Sequence, residues 1–224
     1  MKKISHENNF IYLFIALMWL LFSMSALKFL EGTWMSDVME LVILGSLLLG
    51  VRSLKADKSW LWSVYAMVFF LGTIFILQKF IHSPKILDTL HLLILLLFFI
   101  GSFRLSFRQI LTGKEITQNM LVGSVVLYLL IGLIWAILYM LLLIIFPDGF
   151  NGLEMIPGRE NFSQVTYFSF VTLTTLGYGD ISPKNPVTEF FVYMEAISGV
   201  FYIAIVVSSL VSARIETLRR EEEL

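Results

Sequence analysis

The sequence contains no cysteine. Disulfide frameworks, thiolate catalysis and cysteine-ligated metal centres are excluded, and the redox compartment is left open. Charge is scarce: 16 Lys+Arg and 17 Asp+Glu in 224 residues, or 15%, against about 25% in a soluble domain. The signs nearly cancel, to a formal net charge of −1, so the basic footprint of a nucleic-acid binder is missing. No Pro/Ser-rich linker or long polar block marks a second, soluble domain. What is present is apolar: 58% hydrophobic residues, 15% aromatics and a mean hydropathy of +0.83. A soluble globule could not hide that much apolar surface, so the composition points to a polytopic, all-α membrane protein.

The positions without charge organise the chain. Charge-free stretches run 8–27, 41–51, 59–78, 89–103, 116–147, 161–179 and 196–213. Crossing a hydrocarbon core takes a helix of roughly 20 apolar residues. With polar ends admitted to the interface, this predicts six transmembrane helices near 10–30, 35–51, 60–81, 86–103, 120–146 and 187–215. The second is short and carries Glu40. Lys2-Lys3 before an apolar run suggest a cleaved leader. The run is longer than the usual apolar core of about 7–15 residues, and Ser23-Met24-Ser25-Ala26 is a weak cleavage site.

The basic residues orient the spans. With the amino terminus inside, eleven lie on the inner side: Lys2, Lys3, Arg52, Lys55, Lys58, Arg104, Arg108, Lys114, Arg214, Arg219 and Arg220. Five lie outside: Lys28, Lys79, Lys85, Arg159 and Lys184. That asymmetry follows the positive-inside rule and places both termini in the cytoplasm.

One uncharged stretch is no ordinary span. Residues 161–179 are rich in Ser, Thr and Gly and end in Gly177-Tyr178-Gly179. Irregular backbone cannot face lipid with its polar groups unpaired. A helix over 162–174 would be about 20 Å long, too short to span. Five extended residues, 175–179, reach at most ~17 Å. The expected form is re-entrant: a short helix inward, then a strand-like return. Gly177 and Gly179 can take positive φ, which lets successive carbonyls turn the same way. Thr175 adds a hydroxyl oxygen at the inner end. A row of carbonyls can replace the water shell of a cation, and one strand supplies too few, so several copies would surround one axis. The short helix aims its negative carbonyl end at the membrane centre, which favours a cation there.

Thr172-Leu173-Thr174-Thr175-Leu176-Gly177-Tyr178-Gly179-Asp180 resembles the selectivity filter of tetrameric potassium channels. The pattern Glu195-Ala196, Gly199, Tyr202, Ala204 in the last span resembles the bacterial-type ion-channel pore domain. The likeness covers roughly residues 118–214; the first 117 residues have only a general likeness to six-span channels. It implies an all-α subunit with a re-entrant pore helix and filter loop between the fifth and sixth transmembrane helices. Residues 1–117 would form a four-helix front domain with its connecting segment, 118–215 the pore domain, and 216–224 a short cytoplasmic tail. It also implies a homotetramer in the bilayer, passing K+ passively through Thr175, Leu176, Gly177, Tyr178 and Gly179, with no cofactor, enzyme activity or nucleic-acid partner. The expected location is a bacterial inner membrane. Leu176 departs from the family, which more often has a β-branched residue there; a γ-branched side chain packs less readily behind an extended filter.

Around this core, Tyr178 is expected to pack on Tyr167 and Phe168, with Asp180 at the outer mouth and Thr174 beside the filter. Glu195, about 12 Å into the last span, is either a polar support for the short helix or an acid near the interface. Gly199 is either a gating hinge or a packing residue. Asn161 or Ser163 would cap the short helix. His6, His82 and His91 share no ligand spacing. The rival readings are a weakly selective monovalent cation channel of the same build, a potassium transporter, and a membrane enzyme or scaffold. Known transporters with this loop carry four such repeats, whereas this sequence has one; an enzyme would need a nucleophile–base or metal constellation.

A voltage sensor requires several Arg or Lys at three-residue spacing in the fourth span. Residues 89–103 contain none. The expected outcome is a shallow conductance–voltage relation in planar-bilayer recording. A curve as steep as that of a sensor carrying roughly 3–4 charges per subunit would contradict it.

Overall fold

The structure, a computed structural model, describes residues 9–27, 35–53, 58–80, 84–112, 117–153 and 161–222. Five helices come first: α1 (Asn9–Leu27), α2 (Met35–Ser53), α3 (Lys58–Phe80), α4 (Pro84–Leu111) and α5 (Gln118–Ile145). Then follow β1 (Phe150–Asn151), α6 (Asn161–Leu173), β2 (Ser182–Pro183) and α7 (Pro186–Phe201). A π-helical segment, Tyr202–Val207, joins α7 without a break to α8 (Ser208–Glu222). Lys2, Lys3, Lys28, Lys55, Lys114, Arg159, His6 and His82 lie outside the described residues.

The molecule is an all-α membrane protein apart from one two-residue strand pair. Among the described residues, five segments are long and apolar enough to cross a bilayer: Asn9–Ala26, Lys58–Phe80, Lys85–Leu111, Gln118–Ile145 and Pro186–Ser212. The sequence reading expected six. In α2 the apolar stretch is only Glu40–Gly50, because Asp37 and Arg52 bound it closely. The fourth span runs to Leu111 instead of ending at 103, with Arg104 and Arg108 exposed on its last turns.

Helix α5 is the spine. Leu127, Leu130, Leu133, Ala136, Ile137 and Tyr139 are fully buried, with α1, α4 and α6 packed around them. The starts of α1 and α5 and the end of α4 are joined by amides. Asn119 Oδ1 accepts from the Phe10 N–H at 3.1 Å, pairing one of the donors a helix start leaves open. Asn119 donates to Asn9 (2.7 Å), and Asn9 to Gln109 (3.0 Å). In the front helices, Glu40 and His91 are buried with Oε2 and Nε2 3.9 Å apart, which sets α2 against α4.

The path of α6 along α5 places the site. Phe168 packs on Tyr139 with ring centres 5.2 Å apart, Ser169 reaches the Gly132 carbonyl at 2.7 Å, and Leu173 meets Tyr128 at 3.0 Å. Tyr128 lies seventeen residues, or about 26 Å, from the end of α5 at Ile145. Helix α6 thus runs back along α5 and stops deep within its length. The chain then returns. Phe150 and Asn151 pair antiparallel with Pro183 and Ser182, and Lys184 N–H donates to the Gly149 carbonyl at 2.8 Å. Residues 174–181 therefore connect the deep end of α6 to the level where α5 ends.

Helix α7 starts at a strong cap. Asn185 Oδ1 accepts from the N–H groups of Val187 and Thr188 at 3.0 Å each, Thr188 Oγ1 accepts from Asn185 N–H at 3.2 Å, and Pro186 opens the helix. Many large apolar side chains stay exposed on the outside. Trp62, Phe69 and Phe80 are 75%, 71% and 76% exposed, as a lipid-facing surface requires.

Thr188 is fully buried and also donates to the Gly149 carbonyl at 2.9 Å. Thr188→Val keeps the shape and the Asn185 side-chain cap, and removes the hydroxyl's reciprocal half of the capping box together with this bond. It is expected to destabilise the protein by about 1–2 kcal/mol, read as a lower melting temperature in detergent; an unchanged melting temperature would count against the hydroxyl's role.

Candidate functional site

A helix end leaves four carbonyls without intrahelical donors. In α6 each of the last four has a partner. The Phe170 carbonyl accepts from Thr174 N–H (3.0 Å) and Thr174 Oγ1 (2.6 Å). That of Val171 accepts from Leu176 N–H (2.9 Å) and Gly177 N–H (3.3 Å), and that of Thr172 from Thr175 N–H (2.9 Å). The Leu173 carbonyl, alone of the four, takes its donor from another helix: the Tyr128 hydroxyl on α5, at 3.0 Å.

Beyond this point the backbone alternates. Thr175, Gly177 and Gly179 have φ of 60°, 56° and 81°. Glycine takes such angles without cost, but a β-branched threonine does not, and strain of this kind concentrates at functional positions. A left-handed residue at every second position lets successive carbonyls face one way. Residues 174–180 are all exposed, with Leu176 at 56% and Tyr178 at 66%. A Cβ added at Gly177 or Gly179 would meet nothing within 4 Å. At these two positions the segment has open space beside it among the described residues.

The aromatics part company. Phe168 turns away from Tyr178 into a cluster with Tyr139 and Phe150, at 5.2 and 5.7 Å. Tyr167 stays half-exposed, beside the Asp180 carboxylate. Asn161 opens α6 as a buried first residue, and its Oδ1 has no hydrogen-bond partner among the described residues, so it forms no side-chain cap through that atom.

Glu195 is fully buried, not an interfacial acid. Its Oε2 accepts from the Tyr139 hydroxyl at 2.5 Å. Its Oε1 lies 2.5 Å from Ser169 Oγ, which is also 2.7 Å from the Gly132 carbonyl oxygen. One polar cluster thereby joins α5, α6 and α7. Trp135 Nε1 donates to Ser198 at 3.2 Å and ties α5 to α7 one turn further on.

Gly199 has a packing reason. A Cβ there would land on the Leu173 carbonyl oxygen, so only glycine lets α7 cross the end of α6 this closely. The departure from α-helical geometry begins three residues later, at Tyr202, whose hydroxyl donates to the Ser124 carbonyl at 2.5 Å. The sequence pattern contained Tyr202 but gave it no task. Tyr128, Tyr139 and Ser169 carried no signal: a tyrosine or serine in a long apolar helix reads as ordinary until its partner is in place.

Residues 123–215 match a protein-family model described as ion channel. The chain is similar to two Arabidopsis thaliana proteins. Two-pore potassium channel 3 is 46% identical over 46 residues, which is 20% of this chain and 11% of that protein. Two-pore potassium channel 5 is 34% identical over 65 residues, 29% of this chain and 15% of that protein. The matched part is thus a small fraction of either relative's length. No solved structure matches the chain. Together these likenesses point to an ion-channel domain over residues 123–215 that is similar to part of plant potassium channels.

The Glu195 cluster can be tested by its hydrogen count. Glu195→Ala strands the Tyr139 hydroxyl and leaves a cavity, and is expected to destabilise by about 2–4 kcal/mol. In Glu195→Gln the amide can accept from Tyr139 and donate to Ser169, which still donates to Gly132, so the loss should stay within about 1 kcal/mol. Thermal unfolding in detergent measures both; equal loss in the two variants would contradict this cluster.

Proposed function

From an ion-channel domain over residues 123–215 and a likeness to potassium channels, we propose that this chain is one subunit of a potassium-selective channel in which four copies surround one pore. Permeation is passive. The observation that carries the reading is the exposed segment 174–180, left-handed at every second residue, between two membrane-capable helices. The carbonyls of Thr175, Leu176, Gly177 and Tyr178 serve as the oxygen ligands, and Gly179 completes the turn toward the outer mouth at Asp180.

Three features support assembly. A dehydrated alkali cation needs more oxygens than one strand provides. A Cβ at Gly177 or Gly179 would meet open space among the described residues. Phe190, Tyr193, Ile197, Val200 and Phe201 on α7 are exposed and apolar along the helix that follows. In this reading residues 1–117 form the front domain, with α2 as a short sixth transmembrane element. Residues 118–215 form the pore domain, both termini are cytoplasmic, and the Glu195 cluster holds the pore helix. No cofactor takes part.

K+ flux from liposomes containing the purified protein tests the reading, with Gly177→Ala as control. A Cβ at φ of 56° is strained by roughly 1–2 kcal/mol per copy, so flux should fall more than about tenfold. Equal flux in both proteins would undo the filter assignment. The reversal potential in mixed K+ and Na+ separates a selective channel from a weakly selective one.

A further inference from the structure

The Leu173 carbonyl sits at a junction. It is the last carbonyl of α6, immediately before Thr174 and Thr175. The Tyr128 hydroxyl donates to it from α5, and Gly199 on α7 packs against it. The Tyr128 ring in turn lies 5.5 Å from the ring of Tyr202. Tyr202 opens the π-helical segment and is anchored to the Ser124 carbonyl, one turn of α5 before Tyr128. Two tyrosines on one patch of α5 thus connect the start of the irregular part of the last membrane helix with the base of the segment at 174–180.

A π-helical turn holds more residues than an α-helical one, so conversion between them rotates everything that follows by about 100° for each residue of register. Tyr202 sits where such a change would start. Its hydroxyl bond to Ser124 fixes against α5 the point from which such a change would start. Loss of the bond frees its ring from Tyr128, and Tyr128 is the sole donor to the Leu173 carbonyl among the described residues.

We propose that Tyr128 is a positioning residue for the base of the filter segment, and that Tyr202 couples it to the register of the π-helical segment. The functional meaning rests on the channel reading above; the physical coupling does not. Tyr128 holds Leu173, and through it the turn in which Leu176 and Gly177 bond to Val171. A change of register at Tyr202 loosens that hold from a distance.

Amide hydrogen exchange on the full chain in lipid nanodiscs, with Tyr128→Phe, Tyr202→Phe and the double variant, tests this. Each substitution removes one hydroxyl and keeps the ring. Tyr128→Phe should speed exchange at the amides of Leu176 and Gly177 at least about threefold. Tyr202→Phe should do the same, although Tyr202 touches neither. The double variant should exceed the larger single effect by little, since both act through one hydrogen bond. Independent, additive effects, or a Tyr202→Phe change confined to residues 198–210, would overturn the coupling. If Tyr128→Phe does not fold, Gly199→Ala takes its place in the cycle, because its Cβ displaces the Leu173 carbonyl directly. Wild-type K+ flux is measured beside it. Flux without coupling rejects this proposal and keeps the channel. Coupling without flux keeps this proposal and rejects the channel.

Discussion

A helix that stops partway through an apolar layer must find donors for its last four carbonyls. Each unpaired one would cost about 1–3 kcal/mol if buried. In α6 three of the four are paired by the chain that follows, within seven residues. This is what bends residues 174–177 back over the helix end. The fourth requires Tyr128, and so requires α5 to lie alongside. The shape of the return segment is a consequence of ending a helix where it ends.

The contacts of α6 with α5 and α7 keep it in that position. Gly132 lets the Phe170 ring lie against α5, and the Glu195, Tyr139 and Ser169 cluster ties the middle of α6 to both neighbours. The β1–β2 pair and Thr188 fix the far end of the return. Left-handed Thr175 is strained by roughly 1–2 kcal/mol. It persists because both sides of it are held: the carbonyls of α6 on one, the strand pair on the other. Under the channel reading this gives rigidity where an ion must find a fixed set of oxygens.

The unusual segment was legible from residue types. Its short helix was expected over 162–174 and spans Asn161–Leu173, because the apolar pattern and the run of Thr and Gly bound it on both sides. The break, expected after Thr174 and found after Leu173, was legible for the same reason. The sixth span was not, because α2 has a helix's periodicity but too short an apolar stretch for length alone to decide. Phe168 was expected beside Tyr178 and lies against Tyr139 and Phe150 instead. Adjacent helical residues point in different directions, and only the neighbouring helix determines which one finds a partner.

By itself the sequence determined that this is a helical membrane protein, and which residues compose the short helix and the irregular segment after it. Charge-free length and the demand for paired backbone groups are local properties. Only the tertiary structure decided what Glu195, Gly199, Tyr128 and Tyr202 do. Glu195 meets a tyrosine 56 residues earlier in the chain, and Gly199 meets a carbonyl 26 residues before it. A buried polar group takes its meaning from its partner, and in a helical bundle that partner is set by which faces pack together.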